Sequence, residues 1–341
     1  QFQAGKRATI LFDGAMSHAN VYINGQKVGY WPYGYNSFHF DITKYLKPGE
    51  KNTLAVRLEN LPESSRWYPG AGLYRNVHLI ITEDAYIPVW GTYITTPSVN
   101  EKFAKVNVRT KVVLPEGADP AKYSVETSVW NPNKQKLTAV RTSLAQMKYN
   151  NNQAEQEFVI QAPSLWSPEM PALYSAETRL YEGDKLKDIY TTPFGIRSIE
   201  IIPDKGFFLN GKRTVFKGVC NHHDLGPLGA AVNDAAIRRQ IRILKDMGCN
   251  AIRTSHNMPA PELIRACDEM GMMIMAESFD EWNVAKCKNG YNLLFDEWAE
   301  KDLVNLLHNF RNNPSVVMWC IGNEVPNQWN EGDCKIAKWL Q

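Results

Sequence analysis

The chain lacks any long hydrophobic run and any excess of charge of one sign. None of its 341 residues belongs to a run of roughly eighteen consecutive apolar residues, so no membrane-spanning helix is predicted. The formal net charge is only +2, which gives no basis for binding nucleic acid or an anionic membrane. We therefore predict neither nucleic acid nor a membrane as a partner.

The sequence also lacks closely spaced cysteines. Its six cysteines all lie between residues 220 and 334, and none forms a Cys-x-x-Cys pair. A zinc site or a disulfide framework needs tighter spacing or a smaller chain, so we interpret the cysteines as buried free thiols. Gln1 stands where an initiating Met would be, which leaves a processed or missing leader open.

Aromatic residues are plentiful, with ten Trp and fifteen Tyr. They fit a protein that stacks the apolar faces of sugar rings, although large sandwiches also use aromatics as core. A chain of this length is expected to form two or three domains.

Residues 1–90 and 91–199 are predicted to form two β-sandwiches. In the first segment, short alternating strands with regular turns, including a hairpin at Asn24-Gly25, predict a jelly roll. Its first strand is expected to be missing, because the chain starts just before the strand-like residues 7–12. The second segment has some seven alternating strands, which is typical of an immunoglobulin-like sandwich.

The loop at 64–75 concentrates arginine, glycine and aromatic residues, including Arg66 and Trp67. It either packs against its own sandwich or the next domain, or it reaches into a neighbouring pocket.

Residues 200–341 alternate strands with helices, which predicts parallel βα units. Asn233 is predicted to cap a helix whose apolar stripe is Ile237, Ile241, Leu244 and Met247. The apolar run at 316–321 predicts a buried strand that ends just before Asn323 and Glu324.

Polar side chains follow each of the four predicted strands. They include Asn221, His222 and His223 after the first, His256 after the second, Glu277, Asp280, Glu281 and Trp282 after the third, and Asn323 and Glu324 after the fourth. Four such loops together predict the catalytic end of a barrel. Taken singly, His222 or His223 could be a structural histidine, and Glu277 could simply hold Arg253.

This set of residues fits glycoside cleavage, which needs a protonated carboxyl and a second carboxylate on either side of the anomeric carbon. We predict Glu324 as the acid. An adjacent Asn323 can hydrogen-bond the sugar 2-hydroxyl, and histidines and Trp can hold and stack the ring.

The chain resembles glycoside hydrolase family 2, the group of β-galactosidases, β-glucuronidases and β-mannosidases. The resemblance rests on RWYPGAGLYRNV at 66–77, GVCNHH at 218–223, IRTSHNMP at 252–259 and WCIGNE at 319–324. It implies a multidomain fold of a jelly-roll β-sandwich, an immunoglobulin-like β-sandwich and the first half of a (β/α)8 TIM barrel, with a retaining double-displacement mechanism.

The resemblance also implies roles for single residues. Glu324 is then the general acid/base, Asn323 the 2-hydroxyl ligand and His256 a residue lining the terminal-sugar subsite. His222 and His223 fall at the family's first-strand histidine cluster, and the Arg66–Trp67 loop resembles the one that reaches over the barrel mouth.

Two departures from the family pattern matter. Glu281-Trp282-Asn283 stands where magnesium-binding members have Glu-x-His, so no metal or other cofactor is predicted, although a divalent metal stays open. Asp280 and Trp282 are instead predicted to contact the sugar. Arg253 and Glu277 are predicted to support these residues without contacting the sugar themselves. The family's nucleophile lies on a later strand, and the only glutamate after Glu324, Glu331, follows it too closely.

We therefore predict that this chain alone does not turn over glycosides. Its open strand edges favour a second copy, or a chain that supplies the rest of the barrel. β-D-Galactosides are the first predicted substrates, with β-glucuronidase or β-mannosidase activity and a non-catalytic carbohydrate-binding protein as alternatives. Free cysteines fit the cytoplasm, whereas the resemblance slightly favours the periplasm.

Overall fold

A computed structural model describes residues 2–146, 153–326 and 331–341 of the chain. Along the sequence these residues form two β-sandwiches, a small antiparallel sheet and a parallel sheet flanked by helices. Within these ranges, no helix has the length and apolar character needed to cross a membrane.

The jelly-roll sandwich comes first. Its strands are β1 (Arg7–Phe12), β2 (Ala19–Ile23), β3 (Gln26–Trp31), β4 (Phe38–Asp41), β5 (Leu54–Arg57) and β6 (Val77–Thr82). They form two sheets in the orders β4-β1-β6 and β3-β2-β5. Alternate residues of β1 are buried, as expected when one face of a strand meets the core. The predicted hairpin between β2 and β3 turns at Asn24 and Gly25, both of which have positive φ.

The immunoglobulin-like sandwich follows. Its strands are β7 (Thr92–Val99), β8 (Phe103–Lys111), β9 (Tyr123–Trp130), β10 (Lys136–Ser143), β11 (Gln153–Gln161), β12 (Tyr174–Glu182) and β13 (Lys185–Phe194). Its sheets have the orders β11-β8-β7 and β10-β9-β12-β13. Trp166 is fully buried, and its indole N–H donates to the Asp268 carbonyl oxygen over 2.9 Å. This residue therefore links the sandwich to the helical part of the chain.

The last part is the first half of a (β/α)8 TIM barrel. A small sheet of β14 (Ile199–Ile202), β15 (Gly206–Leu209) and β16 (Lys212–Arg213) leads into β17 (Gly218–Asn221), β18 (Ala251–Thr254), β19 (Met273–Glu277) and β20 (Val316–Cys320). These last four strands run parallel in sequence order. The helices are α1 (Asp234–Asp246), α2 (Pro261–Met270), α3 (Phe295–Phe310) and α4 (Glu331–Leu340). Short 3-10 helices span Thr43–Tyr45, Pro120–Lys122, Leu144–Gln146, Gly226–Leu228 and Tyr291–Leu293.

Helix α1 begins as predicted but ends earlier. Asn233 Oδ1 accepts a hydrogen bond from the Ala236 N–H at 3.0 Å, which is the expected N-cap. Ile237, Ile241 and Leu244 are buried, whereas Met247 is 69% exposed, so the predicted apolar stripe was one residue too long. Met247 caps the helix beside Gly248, and its side chain therefore leaves the buried face.

The cysteine prediction was right about free thiols and wrong about burial. All six cysteines are free, but only Cys267 is fully buried. Cys220 and Cys334 are exposed, and the other three are partly exposed.

The jelly roll and the barrel meet at a buried carboxyl group on α3. Asp302 accepts hydrogen bonds from Trp31 Nε1 at 2.8 Å, Asn36 Nδ2 at 2.7 Å and the Tyr291 hydroxyl at 2.5 Å. Burial raises the pKa of Asp302 to about 7, and the three donors only partly oppose this shift. The contact between the domains therefore includes a group that titrates near neutral pH.

We expect Asp302→Asn to remove part of the pH dependence of folding. The folded pKa is about 7 and the ordinary value is 3.8, so the folded state holds a proton that the unfolded state releases. The parent therefore loses stability as pH rises between these values, and the loss is complete above about pH 7. Asparagine does not titrate, and its amide oxygen can accept from Trp31 and Asn36 while its amide nitrogen donates to the Tyr291 hydroxyl. The variant should gain up to roughly 4 kcal/mol relative to the parent between about pH 4 and pH 7.

Urea unfolding of parent and variant at several pH values across this range would measure the gain. A difference in unfolding free energy that stays constant with pH would contradict it.

Candidate active site

Glu324 lies beyond the carboxyl end of β20, the last strand of the parallel sheet. Val316 and Val317 are buried, but the side chain of Glu324 is 73% exposed. The residue has a φ of +41°, a left-handed conformation that is costly for a residue with a Cβ. Among the described residues it forms an ion pair with Arg66, whose Nη1 lies 3.7 Å from Oε2. The carboxylate is thus presented at the open end of the strands.

Asn323, its neighbour, is buried and held from three sides. Its Oδ1 accepts from Arg253 Nη2 at 3.0 Å, and its Nδ2 donates to Asp280 Oδ1 at 2.9 Å. Its backbone carbonyl accepts from Lys286 Nζ at 2.5 Å. These contacts define both the orientation of the amide and the path of the backbone into Glu324.

Asp280 joins the jelly roll to this edge of the sheet. Arg66 donates to it through Nε at 3.0 Å and Nη2 at 2.7 Å, a bidentate pair. Burial raises the pKa of Asp280, but the hydrogen bonds from Arg66 and Asn323 and the charge of Lys286 outweigh it, so the pKa lies below its ordinary value. The carboxylate is therefore ionised at neutral pH.

Lys286 is a functional candidate that sequence reasoning missed. Besides the Asn323 carbonyl, its ammonium group contacts the Asp280 carbonyl at 2.7 Å and Asp280 Oδ1 at 3.3 Å. It follows the third strand in a polar loop and belongs to no motif, so the sequence carries no signal for this role.

Glu277 forms the buried layer behind these residues. It is inaccessible to solvent and makes a bidentate pair with Arg253 at 2.6 and 3.0 Å. His256 Nδ1 lies 3.0 Å from its Oε1. Burial raises the pKa of Glu277 to about 7 although Arg253 opposes the shift. Burial and then the charge of Arg253 lower the pKa of His256 to about 4, so this histidine is neutral at physiological pH.

Three rings form a wall beside the carboxylates. Trp67 stacks on His222 with ring centroids 5.0 Å apart, and His256 meets both rings edge-on at 5.9 and 5.7 Å. The Trp67 indole N–H donates to the Tyr35 hydroxyl at 3.1 Å, which anchors it to the jelly roll. The loop at 64–75 therefore does contact the ends of the barrel strands.

His223 points elsewhere. Its Nε2 lies 3.0 Å from the Pro69 carbonyl oxygen, and its ring meets those of Tyr35 and Tyr74 edge-on. Burial lowers its pKa to about 4. These contacts favour the structural alternative for His223, and its predicted contact with the sugar stays a prediction.

Trp282 and Glu281 are also turned inward. Trp282 is 6% exposed, and its indole N–H donates to the Ile321 carbonyl at 2.8 Å. In this position Trp282 stabilises the backbone at the end of β20. Its direct contact with the sugar stays a prediction. Glu281 accepts from the backbone N–H groups of Lys286 and Asn292 through its two oxygens. No cluster of three or more His, Cys, Asp or Glu side chains suited to a metal occurs within the described ranges.

If the resemblance to glycoside hydrolases extends to activity, we expect Arg66→Lys to lower kcat/KM on aryl glycosides by roughly ten- to a hundredfold in the whole encoded polypeptide. Lysine keeps the charge but cannot form the bidentate pair that holds Asp280, which in turn orients Asn323. Arg57→Lys is a matched control, because the ion pair that Arg57 forms among the described residues is a long, exposed one of 3.8 Å with Glu59. Equal kcat/KM values for the two variants would contradict the role of Arg66.

Matches to protein-family models cover nearly the whole chain. The model described as "Glycosyl hydrolases family 2, sugar binding domain" matches residues 2–83. "Glycosyl hydrolases family 2" matches residues 86–197, and "Glycosyl hydrolases family 2, TIM barrel domain" matches residues 200–338.

Individual relatives agree with these matches. The chain is similar to Beta-galactosidase BoGH2A of Bacteroides ovatus, with 45% identity over 329 residues that cover 96% of this chain and 38% of the relative. It is 32% identical over 336 residues to a Beta-glucuronidase of Bacteroides fragilis, which covers 94% of this chain and 48% of that protein. A crystal structure of a glycosyl hydrolase family 2 member from Bacteroides cellulosilyticus superposes with a TM-score of 0.94 at 36% identity, covering all of this chain and 44% of that one.

The chain thus spans less than half the length of these relatives. The three family models nevertheless describe domains of one family, and they follow one another along the sequence in the order of the two sandwiches and the half barrel. The chain belongs to glycosyl hydrolase family 2.

Proposed function

We propose that the protein is a retaining, exo-acting glycoside hydrolase that removes terminal β-linked sugars, with β-D-galactosides preferred. The observation that carries the proposal is the contrast between two neighbours at the end of β20. Asn323 is 4% exposed and held by Arg253 and Asp280, whereas Glu324 presents an exposed carboxylate beside it. A positioned amide next to an accessible acid suits a group that transfers protons at a bound sugar.

Glu324 would act twice in a double displacement. As an acid it protonates the oxygen of the leaving group, and as a base it then takes a proton from the water that releases the sugar. The Asn323 amide has two N–H donors, of which one is used by Asp280. The second can donate to the sugar 2-hydroxyl, while Trp67 and His222 offer ring faces.

The second carboxylate of the mechanism is proposed to come from outside these 341 residues. Glu277, Asp280 and Glu281 each have both oxygens engaged by described donors, and Glu277 cannot be reached by solvent. The side chain of Glu331 lies outside the described residues. This engagement supports the proposal that the chain alone is inactive and that a second copy or another segment completes the barrel.

Relatives favour two sugars. The 45% identical protein is named a beta-galactosidase, which supports β-D-galactosides as first choice. The 32% identical protein is named a beta-glucuronidase, which supports β-D-glucuronides as second. A non-catalytic carbohydrate-binding protein would be expected to have lost the polar groups at the strand ends, and their presence argues against that alternative.

The test uses 4-nitrophenyl β-D-galactoside, β-D-glucuronide and β-D-mannoside with the whole encoded polypeptide, and with the 341-residue chain in parallel. We expect turnover of the galactoside by the whole polypeptide, a β-configured first product by NMR, and no turnover by the chain alone. An α-configured product would contradict the retaining mechanism. A preference for the glucuronide would make β-D-glucuronides, and not β-D-galactosides, the proposed substrates. Absence of turnover on all three substrates would favour the non-catalytic alternative.

A further inference from the structure

A cleft of about 390 Å³ lies where the two sandwiches meet α3, and the proposed activity makes no use of it. We call it the junction cleft and define it by His39, Trp90, Arg109, Lys111, His308 and Arg311. Arg311 lies just after α3, on the side where the chain enters the amino end of β20. The junction cleft is therefore at the opposite end of the parallel sheet from Glu324.

The junction cleft is positively charged. Arg109, Lys111 and Arg311 contribute three cations, and no Asp or Glu is among the described residues that line it. Arg109 is partly neutralised by Glu155 at 3.2 Å. Within the described part of the chain, Lys111 and Arg311 make no ion pair. Burial, then the charges of Arg311 and Lys111, lower the pKa of His308, which agrees with a positive potential there.

Arg311 is hydrogen-bonded to the backbone but has no anionic partner among the residues that the structure describes. One of its terminal nitrogens, Nη2, donates to the carbonyl oxygens of Trp90 at 2.9 Å and Thr92 at 3.2 Å, and its guanidinium lies 4.8 Å from the centre of the Tyr93 ring. Its Nε is buried and has no hydrogen-bond partner among the described residues. A half-buried cation without a counter-ion is costly, and an anion in the cleft would offset this cost.

An aromatic ring stands beside the cations. Trp90 is partly exposed, and His39 contacts it edge-on at 5.2 Å. Trp90 has a φ of +55° and its backbone N–H is bonded to the Tyr190 hydroxyl at 3.1 Å, so its place in the cleft is well defined. Aromatic faces pack on the apolar faces of sugar rings, and guanidinium and ammonium groups bind carboxylate and sulfate oxygens.

We propose that the junction cleft binds an anionic sugar unit of a saccharide, with its carboxylate or sulfate group on Lys111 and Arg311 and its ring against Trp90. The site is separate from the candidate active site and would hold a polymeric substrate without acting on it. The inference does not depend on which sugar is cleaved.

The experiment is isothermal titration calorimetry of the whole encoded polypeptide with four probes: an oligogalacturonate, a sulfated galacto-oligosaccharide, a neutral galacto-oligosaccharide and inorganic sulfate. Each probe is titrated into the parent, Lys111→Gln and Lys105→Gln. Lys105 is the matched control, because it is exposed on the same strand and on the same face as Lys111.

We expect one of the two anionic saccharides to bind, with its dissociation constant raised roughly tenfold or more by Lys111→Gln and unchanged by Lys105→Gln. The saccharide that binds identifies carboxylate or sulfate as the recognised group. Binding of the neutral saccharide alone, binding of inorganic sulfate as tight as that of the saccharides, or equal constants for the two variants would each overturn the proposal. Aryl-glycoside turnover should be unchanged in Lys111→Gln, which separates this result from failure of the proposed activity.

Discussion

Glu324→Gln in the whole encoded polypeptide is expected to lower kcat by roughly 10²- to 10⁴-fold on a β-galactoside with a poor leaving group. Glutamine keeps the size of the side chain and the backbone position after β20, but it has no proton to give. A leaving group that departs without protonation, such as 2,4-dinitrophenolate, should be released nearly as fast as by the parent in the first step. The loss of kcat/KM, which reports the first step, should therefore grow as the pKa of the leaving group rises across a series of aryl glycosides.

The matched control for this substitution is Glu297→Gln on α3. Glu297 has the same 73% side-chain exposure as Glu324, and its described partner is Lys301 at 3.4 Å on the same helix. This variant should retain the activity of the parent. Full activity of Glu324→Gln, or a loss of kcat/KM that is equal for every leaving group, would remove Glu324 from the acid role.

Arg75→Met is expected to destabilise the fold by roughly 3–5 kcal/mol. Arg75 is 4% exposed, although it follows an exposed loop. Its guanidinium donates to the carbonyl oxygens of Asp13 and Tyr35 in the jelly roll at 3.3 and 2.7 Å, and to those of Met258 and Pro259 in the barrel at 2.9 and 3.2 Å. Methionine fills a similar volume but leaves four carbonyl groups at the domain interface without this donor.

Urea unfolding followed by far-UV circular dichroism would measure the loss. Arg57→Met is the control, because that arginine is largely exposed and should contribute at most about 1 kcal/mol. Because several domains unfold, a separate early transition of the jelly roll is also expected in Arg75→Met. A loss no larger than that of the control would show that these backbone acceptors are satisfied in another way.

The sequence was most informative where a local pattern carries the signal. Period-two alternation predicted the two sandwiches, and the apolar run before Asn323 and Glu324 predicted a strand with polar residues after its end. The prediction that this strand is buried was only partly right, because Val316 and Val317 are buried whereas Trp319 is 39% exposed. Parallel strands place their carboxyl ends at one edge, so His222, His256, Asp280 and Asn323 could be predicted to meet there. Met247 shows the limit of the method, because a stripe counted along the chain does not say where the helix stops.

Contacts between distant parts of the chain were decided by the tertiary structure alone. Arg66 and Asp280 are 214 positions apart, and the pair forms because the jelly roll docks against the barrel. The same docking buries Asp302 and raises its pKa, and the third-strand loop brings Lys286 to the Asn323 carbonyl. The docking of the jelly roll also places His223 against Pro69, away from the edge where its sequence neighbour His222 stacks on Trp67. Periodicity reports which face of one element is buried, whereas hydrogen-bond partners and pKa shifts depend on the groups that other elements bring close. The residue types at this edge were therefore set by the sequence, and their pairing by the packing of the domains.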